Sequence, residues 1–293
     1  MNTLPTAYRN LLSSVTDTYT VIAEHPRHDS LRSSVWEIEG PDGKRWFAKQ
    51  NAGPKLHRRE VDAYLHWITA LGPDRAPTLA ASDAATRTLL VTAVPGKSLD
   101  KLRLPAEQEQ EAYRQAGLLL ARLHAATSPS CSAEETADLA VTLEKLLANA
   151  ERYLTADDTA VLRALAKQAP PALSTVTAHW DYMPKNWMWD EREQRLRVID
   201  FERTQREPAV RRDLSRLYYR VLYHRPDLAA AFSDGYARPL TASEEQARAA
   251  YAAQDALDGI LWGAAHHAVD LADEAHMMIA NLRAEHTRRT IGR

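Results

Sequence analysis

The stretch HWDYMPKNWMWDEREQRLRVIDFE, His179 to Glu202, decides how the rest of the chain reads. It sets Asp181 and Asn186 on a loop ahead of a short apolar run, and places Asp200 at the end of a second run, RLRVID. Two such runs around a charged connection predict a strand–loop–strand hairpin that brings Asn186 and Asp200 together. An amide oxygen and a carboxylate are hard donors that suit Mg²⁺, a cation usually held by carboxylates and phosphate oxygens. Asp181 is then left to accept a proton or orient a hydroxyl.

Composition frames this stretch without competing with it. The chain has 293 residues, 45% of them apolar and 26% charged, enough for one large domain or two lobes. A formal net charge of -2 provides no basic field for nucleic acid or an anionic membrane. Cys131 is the only cysteine, so neither an internal disulfide nor a cysteine-based zinc site is expected. The opening MNTLPTAYRNLLSSVTDTY lacks a basic region followed by an apolar one, and no apolar run reaches the length of a bilayer span. The expectation is a cytoplasmic protein without nucleic-acid or membrane partners, either monomer or homodimer.

Working outward, the first hundred residues read as strands with one helix among them. Tyr19 to His25, Ser34 to Glu39 and Lys44 to Gln50 are rich in β-formers, and the turn signal Pro41-Asp42-Gly43 makes the last two a hairpin. Lys55 to Leu71 has apolar residues at helical spacing, and Thr88 to Val94 is a further strand stopped by Pro95-Gly96. After that the pattern is helical: Glu107 to Thr127, Ala133 to Leu154, Ala156 to Gln168, Val210 to Tyr223 and Glu244 to His286. The fold class expected is α+β, with a small β-rich lobe over 1–93, a larger mainly helical lobe over 94–293, and a hinge at about 92–97.

The spacing His179-x-Asp181-x-x-x-x-Asn186 resembles the catalytic loop of kinases. VIDFE resembles the metal-binding segment of the aminoglycoside phosphotransferase and choline kinase superfamily, whose members are protein-kinase-like but act mainly on small molecules. Glu202 stands where protein kinases have glycine, which points away from a protein kinase. The resemblance extends in order along the chain, from about Tyr19 to about Tyr223. Lys49 in WFAKQ is similar to the strand lysine that holds the α- and β-phosphates, and Glu60 to the helix glutamate that pairs with it. LLVTAVPGKSL resembles the linker at the adenine edge, with Thr92 and Val94 as backbone contacts. GLLLARLHAAT resembles the long helix ending in Leu-His, and Asp213 in AVRRDLSRLYY matches an aspartate that follows the metal segment. The phosphate loop departs from the kinase pattern: PRHDSLRSS holds no glycine, so backbone amides with Ser30, Ser33 or Ser34 would have to serve.

The resemblance implies a bilobal protein-kinase-like fold and an O-phosphotransferase that uses ATP, or GTP, with Mg²⁺. Asp181 would be the catalytic base, Asn186 and Asp200 the metal ligands, and Lys49 set by Glu60 the phosphate clamp. His179 and Asp213 read as structural supports of the catalytic loop. Glu202 either meets a second metal or faces solvent. Trp180, Trp187 and Trp189 flank the site, the last two on one side of a strand as core residues. The acceptor implied is a small-molecule hydroxyl. Antibiotics such as aminoglycosides or other sugar- or nucleoside-containing compounds come first, with resistance as the outcome. Choline- or homoserine-like metabolites come second, and a nucleotide-binding protein without turnover is the reading from another class. Asp255, Asp258, Trp262, His266 and Asp270 recur at steps of three or four and share one face if they lie on one helix. That face reads either as solvated surface or as an acidic, aromatic wall for a cationic or sugar-bearing acceptor.

Overall fold

The computed structural model describes residues 4–25, 35–128, 130–132, 134–167 and 173–291. Ser30, Ser33 and Ser34, expected at the phosphates, lie outside the described residues. In chain order the elements begin with α1 (Thr6–Leu12), β1 (Thr20–His25), β2 (Val35–Glu39), β3 (Arg45–Gln50), α2 (Pro54–His66), β4 (Leu79–Asp83), β5 (Thr88–Thr92) and β6 (Lys97–Ser98). They continue with α3 (Ala106–His124), β7 (Ser130–Ser132), α4 (Glu134–Ala150), α5 (Ala156–Ala166), β8 (Leu173–Ala178), β9 (Trp187–Asp190), β10 (Arg195–Val198) and β11 (Gln205–Pro208). The last are α6 (Ser215–Arg220), α7 (Pro226–Tyr236), α8 (Ala242–His266) and α9 (Val269–Ile291). No helix among the described residues is long and apolar enough to cross a membrane.

The chain divides into two compact units, Met1–Leu104 with Pro184–Gln205, and Pro105–Met183 with Arg206–Arg293. The boundary expected at 93/94 falls inside the first unit, which also takes in the hairpin carrying Asn186 and Asp200.

In the first unit the main sheet has the order β1-β2-β3-β5-β4. The predicted hairpin is present: Trp36 pairs with Ala48 and Glu39 with Arg45 across the Pro41-Asp42-Gly43 turn, with Gly43 at φ 76°. Trp36, Ile38, Trp46, Ala48 and Leu90 bury one face against Leu4, Tyr8, Leu11 and Leu12 of the N-terminal segment and α1. A second sheet, β10-β9-β6, carries Trp187 to Val198 of the quoted stretch. Trp187 pairs with Val198 and Trp189 with Leu196, and all four side chains are buried, so both tryptophans are core as their spacing indicates. Asp190 Oδ1 accepts from the Arg192 N–H at 2.9 Å and turns the hairpin. Gly96, at φ 110°, passes within 2.7 Å of the Trp189 backbone at the position a Cβ would occupy, so only glycine fits there.

The second unit is mainly helical. Helices α3 and α7 cross at Gly117 and Gly235, where a Cβ on either would overlap the other helix's backbone. Capping boxes start α5 at Thr155 and Asp158 and α8 at Thr241 and Glu244. Two sequence expectations are corrected here. Val210 to Tyr223 is not one helix: Arg211 (ψ 122°) and Arg212 (φ 59°, ψ −58°) leave helical geometry before α6 begins. Glu244 to His286 is two helices, because His267 at φ 54° ends α8 and α9 turns back, with Gly263 packed on Ala272.

Candidate active site

The first unit gathers the residues expected at the nucleotide. Lys49 leaves β3 with its Nζ 2.6 Å from Glu60 Oε1 of α2 and 2.7 Å from Asp200 Oδ1. Lys49 and Glu60 are both buried. Burial disfavours the ammonium, but Asp200 and Glu60 outweigh it and hold Lys49 protonated, well above its ordinary range. One lysine between carboxylates cannot satisfy all of them. Burial, reinforced by the charge of Asp200 and offset in part by Lys49, pushes Glu60 up to about 6.

Asn51, which the sequence reading passed over, ties this cluster together. Its amide donates to Glu60 Oε2 at 2.8 Å and reaches Glu202 Oε2 at 3.5 Å, and its oxygen lies 3.2 Å from His57 Nδ1. Glu202 is buried, which removes the solvent-facing alternative for it. Oxygens of Glu60, Asp200 and Glu202 lie within 4.8 Å of one another, a hard-oxygen set of the kind a divalent cation takes. The β9–β10 hairpin sets the Asn186 backbone beside Ile199, the residue before Asp200, whose N–H donates to the Asn186 carbonyl at 3.0 Å. Asp200 takes φ 66°, sparsely populated for a residue with a Cβ, and Phe201 packs edge-on against Tyr64 of α2 with ring centroids 5.6 Å apart.

At the linker, the Thr92 N–H donates to the Thr78 carbonyl at 2.9 Å and its hydroxyl accepts from the Thr78 N–H, so both groups are taken up by the sheet edge. The Val94 N–H has no intramolecular hydrogen bond among the described residues. Of the two expected backbone contacts, only Val94 therefore offers a donor.

The second unit fixes Asp181 by its neighbours. Asp213, fully buried, accepts from the His179 N–H at 2.8 Å and the Trp180 N–H at 2.6 Å, and lies 3.2 Å from His124 Nε2. His124 ends α3, and its other ring nitrogen lies 2.8 Å from the Tyr236 hydroxyl. On the other side of Asp181, the buried Tyr182 hydroxyl donates to the Ala116 carbonyl at 2.7 Å. Asp181 thus lies between two anchored neighbours, of which Trp180 adopts φ 71°.

A residue absent from the sequence reading touches Asp181 directly. Arg216 of α6 donates from Nη1 to Asp181 Oδ1 at 3.1 Å and forks onto Asp255, with Nε 2.9 Å from Oδ2 and Nη2 on Oδ1. Arg220 and Arg212 also approach Asp255, at 3.1 and 3.6 Å. Asp255 is buried, and against that burial the guanidinium groups, Arg216 first, hold it far below the usual carboxylate range. The single acidic face expected of Asp255, Asp258, Trp262, His266 and Asp270 is accordingly corrected. Asp255 is internal, Asp258 is half-buried, Trp262 and His266 are exposed and stacked at 3.7 Å, and Asp270 belongs to α9.

An α+β chain with this lysine–glutamate–aspartate cluster and an anchored Asp181 loop has the architecture of a protein-kinase-like phosphotransferase. The profile of the phosphotransferase enzyme family, APH, matches residues 25–253, and the chain belongs to that family. Solved structures share the fold. The GDP complex of aminoglycoside 2'-phosphotransferase-IIIa is 11% identical with a TM-score of 0.66, covering 96% of this chain and 98% of that one. Spectinomycin phosphotransferase APH(9)-Ia, in complex with ADP and spectinomycin, is 13% identical with a TM-score of 0.66, over 97% and 100%. The apoenzyme of macrolide 2'-phosphotransferase MphH from Brachybacterium faecium is 16% identical with a TM-score of 0.57, over 88% and 91%. No curated protein matches the chain.

Proposed function

We propose that this phosphotransferase takes the γ-phosphoryl group of ATP or GTP and moves it to a hydroxyl of a small molecule, with aminoglycosides and other sugar-bearing antibiotics as the first acceptors. The observation that carries the reading is Lys49, a buried cation fixed between Glu60 and Asp200. Its ammonium would meet the α- and β-phosphates, and the Val94 N–H would meet the adenine or guanine edge. Asn186 and Asp200, with Glu202 beside them, are the residues that would hold Mg²⁺, and the excess of carboxylate over lysine in this cluster supports a divalent cation there. When bound, the ion neutralises phosphate oxygens.

Asp181 would orient the acceptor hydroxyl. As the acceptor oxygen bonds to the γ-phosphorus, the bond from that phosphorus to its bridging oxygen breaks. The nucleoside diphosphate leaves, and the hydroxyl proton passes to Asp181. The transition state is loose, so positioning and charge carry most of the acceleration. The aminoglycoside, spectinomycin and macrolide enzymes that share the fold support antibiotics as acceptors. Asp258, Trp262 and His266 of α8 remain the residues proposed to meet the acceptor.

The test is release of ADP or GDP with a panel of kanamycin, spectinomycin, a macrolide, choline and homoserine. The reading predicts Mg²⁺-dependent consumption stimulated by at least one antibiotic, and a raised inhibitory concentration of that antibiotic in cells expressing the protein. Stimulation by choline or homoserine alone moves the acceptor to a metabolite. Failure to bind or consume either nucleotide overturns the reading.

A further inference from the structure

The chain of contacts Asp181–Arg216–Asp255 joins the proposed base to the inside of α8, and no step described above uses it. We propose, resting on the phosphotransfer reading, that Arg216 is a positioning residue that fixes the Asp181 carboxylate for the acceptor, and that Asp255 is the anchor that fixes Arg216.

The geometry favours a clamp over a chance surface pair. The Arg216 and Asp255 side chains are 13% and 2% exposed. Asp255 takes the Nε and Nη2 edge of the guanidinium in a two-point fork, which leaves Nη1 directed at Asp181 Oδ1 at 3.1 Å. A planar group with five donors can give one carboxylate two parallel bonds and keep a further donor for a second carboxylate, a fork that an ammonium, acting as a point charge, does not form. Asp255 also receives Arg220 and Arg212, so the anchor keeps its charge compensated while it holds Arg216. Burial alone opposes the Arg216 cation, yet its two carboxylate partners keep it charged.

Arg216 meets Asp181 at one oxygen only, from a guanidinium already fixed by Asp255, so the contact sets the direction of the carboxylate. This suits a loose transition state in which the proton moves late. The same contacts give Asp255 a role distinct from that of an acceptor ligand: it reaches the chemistry through Arg216.

Four proteins decide the matter: Arg216→Met, Arg216→Lys, Asp181→Asn and the double variant Asp181→Asn with Arg216→Met. Each is assayed for nucleotide affinity by calorimetry and for ADP release from Mg²⁺-ATP, with kanamycin, with spectinomycin and with water as the only acceptor. Arg216→Met is expected to lose about a hundredfold in kcat, the cost of misplacing a reacting group by ~1 Å, with nucleotide Kd changed by less than about twofold. Arg216→Lys should recover part of the loss. The double variant should be no slower than Asp181→Asn, because Arg216 acts only through Asp181. A kcat for Arg216→Met within about threefold of wild type, or a double variant slower by the product of the single losses, overturns the inference. If Arg216→Met fails to fold, Arg216→Lys decides by its own kcat, where a wild-type value overturns the clamp. A wild-type rate in Asp181→Asn sinks the phosphotransfer reading itself, whereas a slow Asp181→Asn beside a fast Arg216→Met sinks only the role of Arg216.

Discussion

The two units solve the problem of buried charge in opposite ways. In the first, one cation, Lys49, stands among the three carboxylates Glu60, Asp200 and Glu202. In the second, three guanidinium groups, Arg212, Arg216 and Arg220, converge on Asp255, and Arg216 passes one contact on to Asp181. The first cluster is short of positive charge and suits a cation arriving with a polyphosphate. The second supplies positive charge internally and needs no ion to keep its carboxylates in place. The carboxylates proposed to bind metal and the one proposed to orient a hydroxyl thus carry different surroundings.

The largest effect should come from breaking the first cluster. Asp200→Ala removes a main partner of Lys49 and the proposed metal ligand. Calorimetry should show Mg²⁺-dependent nucleotide binding weakened by more than about a hundredfold, in the range of breaking a buried ion pair. Asn186→Ala should weaken it less, since a neutral amide brings less charge. Unchanged binding in Asp200→Ala would mean that the metal and phosphates sit elsewhere.

A packing control sharpens the comparison because it leaves both charge clusters intact. Gly235→Ala forces a Cβ into the Arg114 carbonyl where α3 and α7 cross. The expected cost is about 1–3 kcal/mol, read as a lower Tm, with the nucleotide Kd retained at temperatures where the variant stays folded. An unaltered Tm would show that the helices part readily there.

Smaller still is the pH response of the first unit. Glu60, facing Lys49, Asp200, Asn51 and Glu202, has its carboxyl raised to about 6 from an ordinary 4.5. A raised acid holds its proton better in the folded state, so its own contribution to stability is present below the ordinary value and is lost as pH rises through about 6. The clamp runs the other way, because Lys49 loses a charged partner as pH falls through that range. The nucleotide kcat/KM should therefore fall on the acid side with a midpoint near 6, and Glu60→Gln should lower the plateau and remove that limb. An acid limb identical in Glu60→Gln would assign it to another group.

The smallest effect expected is at the rim of α8. Burial pushes the half-buried Asp258 carboxyl up, with Arg212 opposing. Asp258→Asn should raise the acceptor KM a few-fold for a cationic acceptor, leave it alone for a neutral one, and leave the nucleotide KM unchanged. The same KM for every acceptor would return Asp258 to a structural role.

Much of the first unit was legible in the sequence because its residues come in short local patterns. The Pro41-Asp42-Gly43 hairpin and the Asn186–Asp200 hairpin rest on spacing within one or two elements, and the pairing of Lys49 with Glu60 followed from the family resemblance. Asn51 and Arg216 were not legible, because their roles depend on contacts set by packing. Arg216 lies 35 residues from Asp181 and 39 from Asp255. The signal that could have revealed it is the four-residue step of Arg212, Arg216 and Arg220, which starts one residue before Asp213 and passes for a solvated helix face unless a buried partner is known. The long predicted helix over 244–286 failed for a related reason. Its break falls at His267 in a left-handed conformation, with neither Gly nor Pro there to mark it. Helix α1 and strand β4 are short and carry too little periodicity to stand out.

The most direct test of the central claim is a paired measurement on Asp181→Asn and Asp200→Ala, taking nucleotide Kd by calorimetry and single-turnover phosphoryl transfer for each. A crossover is expected. Asp181→Asn should bind Mg²⁺-nucleotide as wild type does but transfer about 10²–10⁴-fold more slowly, the span of a lost general base, while Asp200→Ala should lose binding itself. Transfer at the wild-type rate in Asp181→Asn, or equal loss of binding in both variants, would contradict it.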